Sequence, residues 1–250
     1  MDTHSHPLFG KTALVTGGAK RLGRATALAL AAEGADIVLH YRSSRNEAEE
    51  ATQAIRNMGR KAWTIQADLS RPEEATGLFQ QARQTAGSIH ILINNAAIFE
   101  PSLLADFTVE DLARNVQINT MAPLQVSRAF VAQGQEGVII NFLDNRIVEY
   151  DKKNVAYHLS KRMLHSLTRM MAMEFAPKVR VNAVAPGLVL PPRGEDDAYV
   201  KRLVTTMPLQ RAIEVRAVTD AVLFLVKNEF ITGQVIFVDG GRHMKSSFYG

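Results

Sequence analysis

Tyr157 and Lys161 stand four residues apart, so on a helix they set a phenol and an ammonium on one face. An ammonium near a phenol favours the phenolate and lets the hydroxyl handle protons closer to neutral pH. The pair is common by chance, and its meaning depends on its company. The run Thr16 to Gly23 (Thr-Gly-Gly-Ala-Lys-Arg-Leu-Gly) is the second chemical feature. Glycines let a backbone turn sharply and approach a pyrophosphate, and the helix start that follows offers free N–H groups and a partial positive charge. The same run also reads as ordinary punctuation between a strand and a helix. Arg42, Ser43, Ser44 and Arg45 form the third, at the end of a second apolar run. A site for NAD favours a carboxylate here; cations and hydroxyls suit a 2′-phosphate, so the cofactor expected is NADPH. The alternative is a solvated turn.

These groups need elements to hold them. Apolar runs at Thr12–Val15, Asp36–Tyr41, Ala62–Gln66, Ile89–Ile93, Gly137–Phe142, Arg180–Val184 and Val235–Val238 read as seven strands of a parallel sheet. Helical patterns alternate with them at Arg24–Glu33, Asn46–Met58, Pro72–Ala86, Thr108–Gln133, Asn154–Phe175 and Glu214–Val226. Strict alternation predicts an α/β fold, a Rossmann-type doubly wound sheet flanked by helices, forming one domain over 1–250. Residues 1–9 are expected to fray, and 188–207, with two prolines and the acidic run Glu195, Asp196, Asp197, to form a substrate lid. Thr108 to Asp111 predicts a capping box. Asn119, near the middle of the long helical region, predicts a local distortion or a buried polar role.

Composition narrows the function. The chain has 250 residues, 46% hydrophobic, a formal charge of +4 and no cysteine. Disulfides, thiolate chemistry and Cys-ligated metals are excluded, and seven histidines without ligand spacing predict no metal site. Scattered charge without a basic stripe argues against nucleic acid, and the absence of a leading apolar segment against a membrane, so the protein is expected in the cytoplasm. Asp68 follows the third strand, where it could accept from an adenine amino group or cap a turn. Phe99 follows the fourth, where it could stack on a flat substrate or fill the core.

Assembled, the glycine turn, Asp68, Asn94-Asn95-Ala96, Asn119, Tyr157-x-x-x-Lys161, Pro186-Gly187 and Asp239-Gly240-Gly241 resemble the short-chain dehydrogenase/reductase family in order and spacing over nearly the whole chain. Arg21 stands where that family usually has its middle glycine, and Asp144, thirteen residues before Tyr157, where the catalytic serine is usual. Both features resemble pteridine reductases and bacterial dihydromonapterin reductases, as do His40-Tyr41-Arg42-Ser43, the run ending at Arg24, and Phe99. Ala97 departs from trypanosomatid pteridine reductases, which carry a serine there.

The resemblance implies a cofactor cleft made by Gly17, Lys20, Arg21, Leu22, Gly23, Tyr41, Arg42, Ser43, Asp68, Leu69, Asn95, Ala96, Lys161, Pro186 and Gly187. It implies Tyr157 as proton donor, Lys161 as ribose anchor, Asn119 as holder of a water chain, and a substrate lying against Arg21, Phe99, Asp144, Tyr157 and Leu188. It implies a homotetramer as well. A carboxylate at Asp144 opposes ionisation of the phenol and repels the charge that grows on a ketone oxygen. Reducing a C=N bond instead calls for protonation of a nitrogen, which a carboxyl group can relay, so the expected substrate is a pterin. The alternatives are a ketone reductase in which Asp144 only caps a turn, and a non-catalytic NADP-binding scaffold.

Overall fold

Strands covered on both faces need apolar side chains at successive positions. Thr12–Val15 (β1) is buried throughout, and Asp36–Tyr41 (β2) at all but its first residue. Ala62–Gln66 (β3), Ile91–Asn94 (β4), Gly137–Phe142 (β5), Val179–Pro186 (β6) and Val235–Val238 (β7) complete a seven-stranded sheet in the order β3-β2-β1-β4-β5-β6-β7. Every neighbouring pair is parallel. The computed structural model describes residues 6–191, 204–205 and 207–244.

Alternate residues of the central strands feed opposite layers. Ala13 and Val15 of β1, and Ile91 and Ile93 of β4, pack under Arg21–Ala32 (α1), Arg45–Asn57 (α2) and Val215–Lys227 (α7). Leu14 and Leu92 pack on the other face, under Pro72–Ala86 (α3), Ala122–Ala132 (α5) and Val155–Glu174 (α6). Because β1 lies between β2 and β4, the direction of sheet growth reverses beside it, and a crevice opens at the carboxyl ends of β1 and β4.

Several elements differ from the sequence reading. The first helix begins at Arg21, three residues early, because it starts directly from the glycine turn. The region 108–133 is not one helix: Val109–Val116 (α4) passes through a π turn, Gln117–Met121, into α5, and Asn119 sits in that turn. The capping box forms, with Thr108 and Asp111 each accepting from the other's N–H. Strand β4 begins two residues late and β6 extends to Pro186. The chain start does not fray as far as residue 9: Leu8 is buried and its N–H donates to the Glu33 carbonyl at 2.9 Å. Most of the expected lid, including Glu195, Asp196 and Asp197, lies outside the described residues. Among the described residues, no helix is long and apolar enough to cross a membrane, and no group of three or more His, Asp and Glu could hold a metal.

Candidate functional site

The glycine turn is fastened by the strands beside it. Gly17 has φ +62° and donates its N–H to His40 Nδ1 at 3.0 Å. His40 Nε2 lies 3.0 Å from the Ala67 carbonyl, which fixes Nε2 as the protonated nitrogen. Burial pushes the imidazole down to about 4, so it stays neutral and can do both jobs. Asn95 Nδ2 donates to the carbonyls of Thr16 (3.0 Å) and Gly17 (3.1 Å), while Thr16 Oγ1 accepts from the N–H groups of Asn95 and Ala96. At Gly23 a Cβ would lie 2.2 Å from the Gly17 oxygen, so only glycine lets α1 approach the turn.

Arg21 adopts φ +52°, a conformation that glycine takes freely and arginine rarely. Its guanidinium donates to the carbonyls of Pro191 (2.9 Å) and Leu190 (3.4 Å), tying the turn to the segment after β6. Lys20 pairs with Glu47 on α2, and Leu22 packs against the core layer under α1.

Beyond the ends of β2 and β3, Arg42, Gln66, Ala67, Asp68, Arg71 and Glu74 surround an open cavity of about 340 Å³. Burial pushes the Asp68 carboxyl up, but hydrogen bonds from Ser70 and the guanidinium groups of Arg42 and Arg71 outweigh it and hold the group ionised. Tyr41 is buried against Ala19 and Ala48, Leu69 is buried, and Ser43 is exposed. The donor set fits an adenosine carrying a 2′-phosphate: two cations stand ready for the phosphate and an ionised acceptor for the adenine amino group.

The second half of the site is assembled by β5 and α6. Asp144 lies two residues beyond the end of β5, and Tyr157 Oη donates to its Oδ2 at 3.0 Å. Burial and the Asp144 charge push the phenol well above its ordinary value. The expected ammonium assistance is not in place here, since Lys161 Nζ donates to the Phe142 carbonyl at 2.6 Å and lies 5.9 Å from the tyrosine ring centre. Burial pulls the Lys161 ammonium down to about 8, with Asp144 opposing. The reason is distance: Asp144 touches the phenol and Lys161 does not.

Asn119 is fully buried. Its Oδ1 accepts from the Ile98 N–H at 2.9 Å, and its Nδ2 donates to the Ile98 carbonyl and to Ser160 Oγ. The carboxamide therefore buttresses the loop that carries Phe99. Phe99 is 46% exposed, so it is not filler under the loop, and it meets Tyr157 edge-on with ring centres 4.7 Å apart. Pro186 ends β6; the Gly187 N–H donates to Val238 at 3.0 Å, and a Cβ there would meet Asp239 at 2.8 Å. Leu188 is half-buried beside it.

Sequence reasoning missed Arg146. Its Nε donates to Asp144 Oδ1 at 3.1 Å, its Nη2 approaches Asp144 Oδ2 at 3.4 Å, and its Nη1 pairs closely with Asp151. The same guanidinium lies 5.3 Å from the centre of the Phe99 ring. A cation two residues after Asp144 was the available signal. Arg146 also explains how the carboxylate beside a buried phenol is compensated.

A family model described as enoyl-(acyl carrier protein) reductase matches residues 17–243. L-xylulose reductase of Cavia porcellus is 34% identical, the alignment covering 94% of this chain and 97% of that one. The crystal structure of FolM alternative dihydrofolate reductase 1 from Brucella canis, complexed with NADP, superposes with a TM-score of 0.88 at 33% identity, covering 95% of this chain and 96% of the other. The promiscuous reductase LugOII, which catalyses keto-reduction during lugdunomycin biosynthesis, superposes with a TM-score of 0.89 at 32% identity, covering 96% and 100%.

Proposed function

The chain belongs to the short-chain dehydrogenase/reductase family of oxidoreductases, and from that premise we propose that it uses NADPH to reduce a ring C=N bond of a pterin. NADPH, when bound, supplies the hydride. Arg42, Arg71 and Asp68 would hold its adenosine end, the turn Gly17–Gly23 its pyrophosphate, and Lys161 its nicotinamide ribose. The NADP complex of the FolM relative supports this choice of cofactor.

The contact that carries the reading is Tyr157 Oη to Asp144 Oδ2 at 3.0 Å. Tyr157 stays a neutral phenol at working pH, so it serves as a proton donor rather than a base. A carboxylate at that hydroxyl disfavours an alkoxide on a neighbouring carbon but tolerates a ring nitrogen that takes up a proton. The half-exposed face of Phe99 offers a platform on which a flat heterocycle can stack. Asn119 acts through the Phe99 loop.

A second reading, a ketone reductase, draws on one observation: Asp144 also caps the short turn Asn145–Val148, its Oδ1 accepting from the Arg146 N–H at 2.8 Å. LugOII and L-xylulose reductase are relatives compatible with it. The assay that separates the two is NADPH oxidation with biopterin, dihydrobiopterin and dihydromonapterin set against a β-ketoacyl ester and an aromatic ketone. Turnover confined to the pterins supports the first reading; turnover confined to the ketones replaces it with the second.

A homotetramer belongs to the same proposal. Helix α6 turns Met163, Met170 and Met173 to solvent, and Gln125 Oε1, His158 Nε2 and Arg162 Nε on α5 and α6 are buried without a hydrogen-bond partner among the described residues. Light scattering on purified protein would report the assembly.

A further inference from the structure

Arg146 has three neighbours that belong to different parts of the site. Asp144 sits two residues beyond the end of β5, and Asp151 precedes α6, where its Oδ1 accepts from the N–H groups of Lys153 (2.8 Å) and Asn154 (3.1 Å) at the helix start. Phe99 lies on the loop after β4. A planar fork with five donors can grip two carboxylates at once, and a guanidinium also lies well over an aromatic ring. An ammonium on a flexible stem does neither as well.

The geometry points to Arg146 as the positioning residue of the acid pair: it fixes the Asp144 carboxylate against the Tyr157 hydroxyl by anchoring it to the start of α6, and it covers one face of Phe99 so that a substrate ring takes the other. The second part rests on the pterin reading; the first does not. Charge supports the assignment. Asp144 and Asp151 bring two negative charges beside a phenol that must stay protonated and close by, and Arg146 and Lys161 bring two positive ones. Without Arg146, Asp144 and Asp151 repel each other, and Asp144 keeps only its hydrogen bonds from Tyr157 and the Arg146-position N–H. The hydroxyl then loses its fixed orientation, and a displacement of about 1 Å at a reacting group costs on the order of a hundredfold in rate.

The test uses full-length protein carrying Arg146→Ala or Arg146→Lys, with pterin and ketone substrates assayed in parallel. NADPH affinity, read from cofactor fluorescence without substrate, should match the intact protein for both variants. For Arg146→Ala, kcat should fall much further than KM rises. Guanidinium chloride at millimolar concentration should restore several-fold of the lost kcat in Arg146→Ala and none in Tyr157→Phe. Arg146→Lys should recover less than the guanidinium does. An unchanged kcat, or a loss that guanidinium does not rescue, overturns the assignment. If intact protein reduces ketones and no pterin, the pterin reading falls, and rescue measured on the ketone still decides the role of Arg146.

Discussion

Around the glycine turn every bond has a main-chain group at one end and main chain or a neutral side chain at the other: Gly17 N–H to the His40 imidazole, Gly18 N–H to the His40 carbonyl, and the Asn95 carboxamide to the Thr16 and Gly17 carbonyls. Around Tyr157 they run between side chains: phenol to Asp144, Asp144 to Arg146, Arg146 to Asp151 and Phe99. The first region is built from conformation, and the residues that build it are glycines and uncharged polar side chains, an imidazole, a carboxamide and a hydroxyl. The second is built from charge, and each member depends on the ionisation of the next. A pyrophosphate is recognised by a fixed row of N–H groups, so its site needs rigidity; on the proposed reading a reacting nitrogen needs a proton at one point, so its site needs compensated charges.

The contrast can be broken from either side. The largest effect expected is from Tyr157→Phe, which removes the proposed proton donor and should lower kcat by about a thousandfold while leaving NADPH affinity as it was. A parallel fall in cofactor binding would mean that the two regions are not separable. Gly23→Ala attacks the other region. Its Cβ would meet the Gly17 oxygen at 2.2 Å, so the turn must move. It should cost about 3 kcal/mol or more of stability, read by denaturant unfolding, and abolish NADPH binding.

Acid tests the imidazole. His40 is held to about 4 in the folded protein against 6.5 when free, so the unfolded chain binds the extra proton between those values. Its contribution to stability is complete above pH 6.5 and is lost as pH falls toward 4, by about 3 kcal/mol. His40→Gln keeps an acceptor for Gly17 and a donor for Ala67 but does not titrate, so unfolding measured across that range should flatten. The smallest effect expected is from Arg42→Ala, which removes one charged contact to a 2′-phosphate. It should weaken NADPH by about tenfold to a hundredfold and NADH hardly at all. Equal losses would remove Arg42 from cofactor selection.

The same contrast explains what could be read from sequence. Thr12–Val15, Asp36–Tyr41 and Gly137–Phe142 have the bounds expected of them, because a strand buried on both faces writes itself as a continuous apolar run. The strand, glycine turn and helix are neighbours in the chain, so their relation is local. The π turn at Gln117–Met121 was signalled only as an awkward Asn119, since nothing in composition says which way a helix will yield. Arg146 was legible only as a cation two residues after Asp144. Its meaning depends on Phe99 and Tyr157, which the fold brings to it from elsewhere, and on Asp151, five residues on, which on its own reads as a solvated charge. Arg21 was legible as a departure in the glycine turn, but its reach to the Pro191 carbonyl joins it to the segment after β6, 170 residues away in the chain.

The central claim is that a carboxylate at residue 144, held on the Tyr157 hydroxyl, selects a nitrogen heterocycle over a ketone. Asp144→Ser tests it most directly, by kcat/KM for dihydrobiopterin and for an aromatic ketone on the same preparation with saturating NADPH. The account predicts that pterin reduction falls by about a hundredfold while ketone reduction holds or rises, since a hydroxyl can donate to a developing alkoxide. Pterin reduction left intact, or both activities falling together, would contradict it and leave Asp144 as the cap of its turn.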